Sequence, residues 1–196
     1  MKGRLMGSGA ASARTRLFRA ALAWVTRGIR TRFARDRQGT TAVEFALLAA
    51  PFFAIVFALL ETSIVFLAEL TLDHAVDRVG RQVRTGEIQD DMSAEDFQDR
   101  ICDDIDFLMD CDNLVIDLRS YADYADIPAT APVTEGDLDS SGLGYAPGSS
   151  ETIMALRAYY KWPLYTDVMH KYLSNMSDGS FLIASMAAFK TEPYGD

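Results

Sequence analysis

GTTAVEFALLAAPFFAIVFALLE, residues 39–61, is the stretch from which the rest of the chain is read. Phe45–Leu60 holds sixteen residues without a charge. At about 1.5 Å per residue that is roughly 24 Å, a little short of a bilayer core of about 30 Å. Glu61 interrupts the run and Thr62–Ala68 resumes it, so the segment to Ala68 is long enough to span with some tilt. A buried core helix is the competing reading, but no obvious second apolar helix exists to cover this one on every side. Glu44 stands at the mouth of the run, where a carboxylate costs about 2.5–3.5 kcal/mol if left at mid-bilayer. Pro51 removes one helical hydrogen bond and kinks or locally melts the helix. Glu44 and Glu61 lie about 25 Å apart along a helix and about 100° apart around it, too far for an acid–base pair. Glu61 is expected at the outer interface, reaching headgroups or a partner helix.

Charge divides the chain at the same place. Residues 1–39 hold ten Lys/Arg against Asp36, a net of +9, while the remainder holds nine basic and 27 acidic residues, a net of −18. Such asymmetry around one apolar segment is a topology signal, with the basic flank kept in the cytoplasm. It also removes the need for a nucleic-acid reading of the arginines. Leu17, Phe18, Ala21, Leu22, Trp24 and Val25 fit a basic amphipathic surface helix within this flank.

Beyond the span, Leu72, Val76, Val79 and Val83 keep helical spacing and read as an intramolecular packing stripe. Asp77 and Arg81 are expected to pair four residues apart, and Gly86 to stop the helix. The head then runs over residues 87–196. Ser93 caps a helix carrying Phe97, Ile101, Ile105 and Leu108. Asn113–Tyr121 reads as a strand with Val115, Asp117 and Arg119 on a wet face, and Thr152–Tyr160 as a second strand. Phe181–Phe189 is a third candidate, with helix as competitor because of its Ala and Met content. Residues 126–150, rich in Pro, Gly, Ser and Asp, are expected to form an exposed loop.

Cys102 and Cys111 are the only cysteines. An even count in an exported domain favours a disulfide over two free buried thiols. On one straight helix they would lie about 13.5 Å apart in rise, so pairing needs a reversal around Met109–Asp110. His74 and His170 show no zinc-ligand spacing with them. Asp137-Leu-Asp139-Ser-Ser141-Gly142 begins like a calcium loop, but its twelfth position is Gly148 and not Glu. The acidic run Asp103, Asp104, Asp106, Asp110 and Asp112 reads as a solvated face. No catalytic set assembles with convincing spacing, so neither an enzyme nor a cofactor or metal is expected.

The join at Gly39 resembles the class III signal of type IV pilins and pseudopilins. The resemblance implies cleavage by a prepilin peptidase after Gly39, Thr40 as the new N-terminus, Glu44 as the fifth residue steering assembly, and Phe45 after it. It also implies that the helix stretches near Pro51 on leaving the membrane. Further patches narrow the likeness: RQVRTGE at 81–87, the cysteine pair followed by NLVIDLRS, GYAPG at 144–148, YYKWPLY at 159–165 and FKTEPY at 189–194. Together with residues 39–53 they resemble TadE/TadG-like pilus-assembly proteins of the tight adherence (Tad) system. The leader is longer than a simple prepilin's.

The resemblance implies an α+β protein, with a long N-terminal transmembrane helix continuing into a small periplasmic head containing a helix and a short antiparallel sheet. The expected division is 1–39 as basic cytoplasmic leader or anchor, 40–86 as transmembrane and extended helix, and 87–196 as head. Implied partners are other pilin-like subunits, the pilus assembly machinery, prepilin peptidase and the bacterial inner membrane. The expected function is a minor pilin-like subunit or assembly factor for Tad pilus biogenesis and adhesion. The alternative is an uncleaved bitopic envelope protein whose acidic head binds a ligand or cation.

Overall fold

A computed structural model describes residues 39–88 and 91–193. The segment 1–38, with the leader or anchor and the amphipathic-helix expectation, lies outside the described residues. Two compact units divide the chain, the first ending at Ala54 and the second beginning at Ile55. The architecture is α+β, a long apolar helix followed by a small head with a helix and antiparallel sheets.

Helix α1 runs Thr40–Arg84 with Pro51 inside it, and is long and apolar enough to cross a membrane. In the first unit its residues are exposed except for half-buried Ala49. In the second unit one stripe is buried: Val65, Ala68, Leu72, Val76, Val79 and Val83. Steps of three and four residues keep them on one face. The expected stripe is real and begins two turns earlier than the sequence suggested. Gly86 ends the helix with φ of 78°, a left-handed conformation that favours glycine, and the Glu87 N–H donates to the Gln82 carbonyl at 2.9 Å.

Helix α2, Ala94–Ile105, starts at Ser93, whose hydroxyl accepts from the Asp96 N–H at 3.0 Å. Phe97, Ile101 and Ile105 are buried on its inner face. The helix ends there, so Leu108 sits in the following turn and not on the helix. Arg78 of α1 pairs with Asp104 of α2. The expected Asp77–Arg81 pair is not formed among the described residues; the long-range partner one residue along α1 is the one the fold supplies.

Strands β1 (Leu114–Tyr121), β4 (Ile153–Trp162) and β5 (Phe181–Lys190) form an antiparallel sheet in the order β1–β4–β5. Leu114 faces Tyr160, and Ile153 faces both Tyr121 and Lys190. One sheet face joins α1 and α2 in a single core through Leu118, Met154, Leu156, Ala158 and Ile183. At Gly80 the helix comes so close to β5 that an added Cβ would meet the Ala187 Cβ and the Phe189 ring at 3.2 Å. β5 is a strand because β4 supplies its ladder; tertiary pairing overrides its Ala and Met content.

Two expectations change here. The supposed wet face of β1 is covered: Asp117 is fully buried, and Tyr159, Leu182 and Met176 form a second cluster on that side with Val115, Leu138 and Leu143. The segment 126–150 is mostly exposed but not structureless. It holds a hairpin, β2 (Val133–Thr134) with β3 (Asp137–Leu138), whose central residues Glu135 and Gly136 both take positive φ. It also lays Gly144–Ala146 against β1, with the Leu118 N–H donating to Gly144 and the Ala146 N–H to Leu118. A short helix α3, Asp167–Tyr172, capped by Thr166, had no counterpart in the sequence reading.

Candidate functional site

Gly39 immediately precedes α1, and an added Cβ there would meet nothing within 4 Å. Close packing among the described residues therefore does not explain the glycine. Thr40, Glu44 and Phe45 are all exposed on the first turns of the helix. Thr40 and Glu44 are four residues apart and so share a face. Glu44 has no hydrogen-bond or ion-pair partner among the described residues, and Phe45 stands beside it with its ring uncovered.

Glu61 behaves in the opposite way: its carboxylate is bonded within the chain and does not reach out to headgroups or another helix. It is only 8% exposed. Its Oε1 accepts from the Tyr165 N–H at 2.5 Å and the Thr166 N–H at 3.3 Å, and its Oε2 from the Thr166 hydroxyl at 2.5 Å. Thr166 also caps α3 through the Met169 N–H. One carboxylate thus ties α1 to the turn between β4 and α3. Charge-assisted bonds of this kind are roughly twice as strong as neutral ones. The sequence signal that was missed is Thr166-Asp167, a helix-start pair following the proline at 163.

Cys102, in the last turn of α2, is bonded to Cys111, at the start of the one-turn helix Cys111–Asn113, with Cα atoms 5.8 Å apart. The reversal between them lies over residues 106–110, where the Asp110 N–H donates to the Tyr160 hydroxyl at 3.1 Å.

The head also contains a buried charge cluster that the sequence reading did not find. Asp117 and Arg157 face each other across β1 and β4, and Arg157 donates through two nitrogens to Asp117 Oδ2 at 2.9 and 2.6 Å. Asp117 Oδ1 accepts from the Gly144 N–H at 3.0 Å, which fastens the loop to the sheet. Arg119 Nε lies 2.7 Å from Oδ1 but out of hydrogen-bonding alignment, while its terminal nitrogen donates to Oδ2 at 3.1 Å. Burial opposes the Arg157 charge, and the bonds to Asp117 outweigh it, holding the guanidinium above its ordinary value. Burial likewise raises the Tyr159 phenol beside them. The Asp117 carboxylate is fully engaged, while Arg119 Nε and the Tyr121 hydroxyl are buried without a hydrogen-bond partner among the described residues.

The carboxylates of the calcium-like segment have other engagements. Asp139 Oδ1 accepts from the Ser141 amide at 3.0 Å and its hydroxyl at 2.6 Å, and Asp137 pairs with Lys161. Asp178 also pairs with Lys161, at 3.0 Å, and is held down to about 2 by the Ser180 hydroxyl and amide first and by Lys161 next. His74 is exposed, and His170 Nδ1 lies 2.9 Å from the Gly179 carbonyl. Among the described residues no three His, Cys, Asp or Glu side chains converge as metal ligands.

No curated protein and no solved structure matches the chain. The model of the family described as TadE-like protein matches residues 39–81. That range begins at the glycine before α1, takes in Glu44 and Glu61, and ends within the last turn of the helix, so it covers the helix and leaves out the sheet and the disulfide. From Gly39 to Arg81 the chain is similar to TadE-like proteins, and the likeness is confined to this helix.

Proposed function

We propose that the protein is a minor pilin-like subunit or inner-membrane assembly factor of the Tad pilus, with a structural and not a catalytic task. The observation that carries this reading is the length of exposed apolar surface on α1. Large hydrophobic side chains stand exposed from Val43 to Leu70, including Ile64, Phe66, Leu67 and Leu70 beyond Glu61. At about 1.5 Å per residue this surface is roughly 40 Å long, against a hydrocarbon core of about 30 Å. Lipid covers the excess only by tilting the helix, and the apolar helix of another pilin-like subunit covers it without tilt. The TadE-like match over the same helix supports the assignment.

In this account α1 stores the subunit in the bilayer, with the basic flank in the cytoplasm and the acidic head in the periplasm. Prepilin peptidase cuts after Gly39. The Thr40 amine of one subunit then neutralises Glu44 of its neighbour, pairing two charges that are costly near hydrocarbon and selecting one axial offset. Mass spectrometry of the membrane-extracted N-terminus is the test. The expected mature chain begins at Thr40, and Gly39→Leu leaves the leader attached. A native N-terminus upstream of Gly39, in cells with active peptidase, would reject processing and favour the uncleaved bitopic alternative.

A further inference from the structure

The head has a distinct end where α1 enters it. Thr40 to Leu60 covers about 30 Å of helix, which is the thickness of a hydrocarbon core. The next residue, Glu61, is the one bonded to Tyr165 and Thr166. Trp162 closes β4 just before that turn and pairs with Phe181, and the turn of residues 106–110 is fastened there through Tyr160. At this end Phe107, Tyr165 and Tyr172 are 70%, 78% and 74% exposed. The other exposed large apolar side chains of the described head outside α1, Tyr124, Val133 and Met186, all stay below half. An apolar cavity of about 220 Å³ opens beside Tyr165, walled by Phe57, Leu60, Ile64 and Trp162, so it continues the apolar surface of the helix.

We propose that this end of the head is a lipid-contacting surface, on which Phe107, Tyr165 and Tyr172 sit in the headgroup interface of the leaflet that α1 leaves. The phenol rings of Tyr165 and Tyr172, apolar in body and polar at the tip, favour that layer, and the wholly apolar Phe107 ring is buried by it from water. The occupant is zwitterionic lipid. Asp106, Asp110, Asp112 and Asp167 are exposed at the same end against Lys171, which lies 5.4 Å from the centre of the Tyr172 ring. Anionic headgroups are therefore repelled. The head stands on the membrane and does not swing clear of it. This inference rests on α1 spanning the bilayer.

The test uses the full chain carrying Trp24→Phe, reconstituted in phosphatidylcholine vesicles, with the quenching of Trp162, measured in that chain alone, subtracted. Three single reporters are added in turn: Phe53→Trp within α1, Tyr165→Trp at the proposed surface, and Tyr124→Trp just past the opposite end of β1. Expected is loss of Tyr165→Trp emission with spin-labelled lipid carrying the label near the headgroup, together with protection from aqueous iodide. Tyr124→Trp shows the reverse, and Phe53→Trp is quenched by deeply labelled lipid. Added phosphatidylglycerol weakens the Tyr165→Trp contact. Quenching at Phe53→Trp with Tyr165→Trp behaving like Tyr124→Trp overturns the lipid contact alone. Iodide protection of Tyr165→Trp without lipid quenching places a protein there and also overturns it. Absence of quenching at Phe53→Trp overturns the span, and the lipid contact with it.

Discussion

The two halves of α1 draw on the same apolar residues and leave them in opposite states. Before Glu61 the side chains of Phe45, Leu47, Leu48, Phe52 and Phe53 are exposed, and Glu44 has no partner among the described residues. After it, Val65, Leu72, Val76, Val79 and Val83 are core, and Glu61 itself is bonded to the head. One carboxylate on this helix is satisfied internally, and the other has no partner among the described residues. Burial, and not composition, separates the stretch that joins the head's core from the stretch that stays exposed.

The largest expected effect comes from the same truncation made in each half. Leu72→Ala should cost the head about 2–5 kcal/mol, the range for deleting a buried leucine. Leu48→Ala should leave the head's thermal unfolding unchanged. Equal effects in a melting experiment on the detergent-solubilised chain would break the division. The disulfide comes next. Reducing Cys102–Cys111, separated by nine positions, should lower stability by roughly 2–3 kcal/mol in the loop-closure account. Denaturant titration with and without reductant measures it, and again only the head responds.

The two acids sharpen the comparison at a smaller scale. Glu61→Gln keeps the shape but loses the charge on three hydrogen bonds, an expected loss of about 1–3 kcal/mol in head stability. Glu44→Gln costs the head nothing. Smallest is a pH effect in the head alone. Asp178 is held at about 2, below its ordinary 3.8, so its contribution is present above 3.8 and lost as pH falls through about 2. The group is half exposed, which keeps the effect under about 1 kcal/mol. Ser180→Ala removes the largest cause of the shift, so acid unfolding followed by circular dichroism should begin at slightly higher pH.

How much of this was legible in the sequence follows from what each element depends on. The long apolar helix, its buried stripe, the Gly86 stop and the Ser93 cap are local patterns, and each was readable from a few neighbouring residues. The reversal between the cysteines was readable because helical rise forbids their pairing without it. Asp117 was misread because alternation along β1 cannot tell that Arg157 lies opposite it, nor that Leu138 and Leu143 close over that face. The bonding of Glu61 was not legible for the same reason: its donors are more than a hundred residues away in the chain. β5 stayed ambiguous until β4 lay beside it. Of the candidate site, Gly39, Thr40, Glu44 and Phe45 stand together in one short motif, and the described residues supply no packing or bonding that explains them.

In the proposed function Glu44 serves assembly and not folding. Counting surface pili on cells carrying Glu44→Gln, with head melting and the Cys102–Cys111 bond checked in the same strain, tests it most directly. The account expects pili to be lost while the head melts and oxidises as before. Normal piliation in that variant would contradict it.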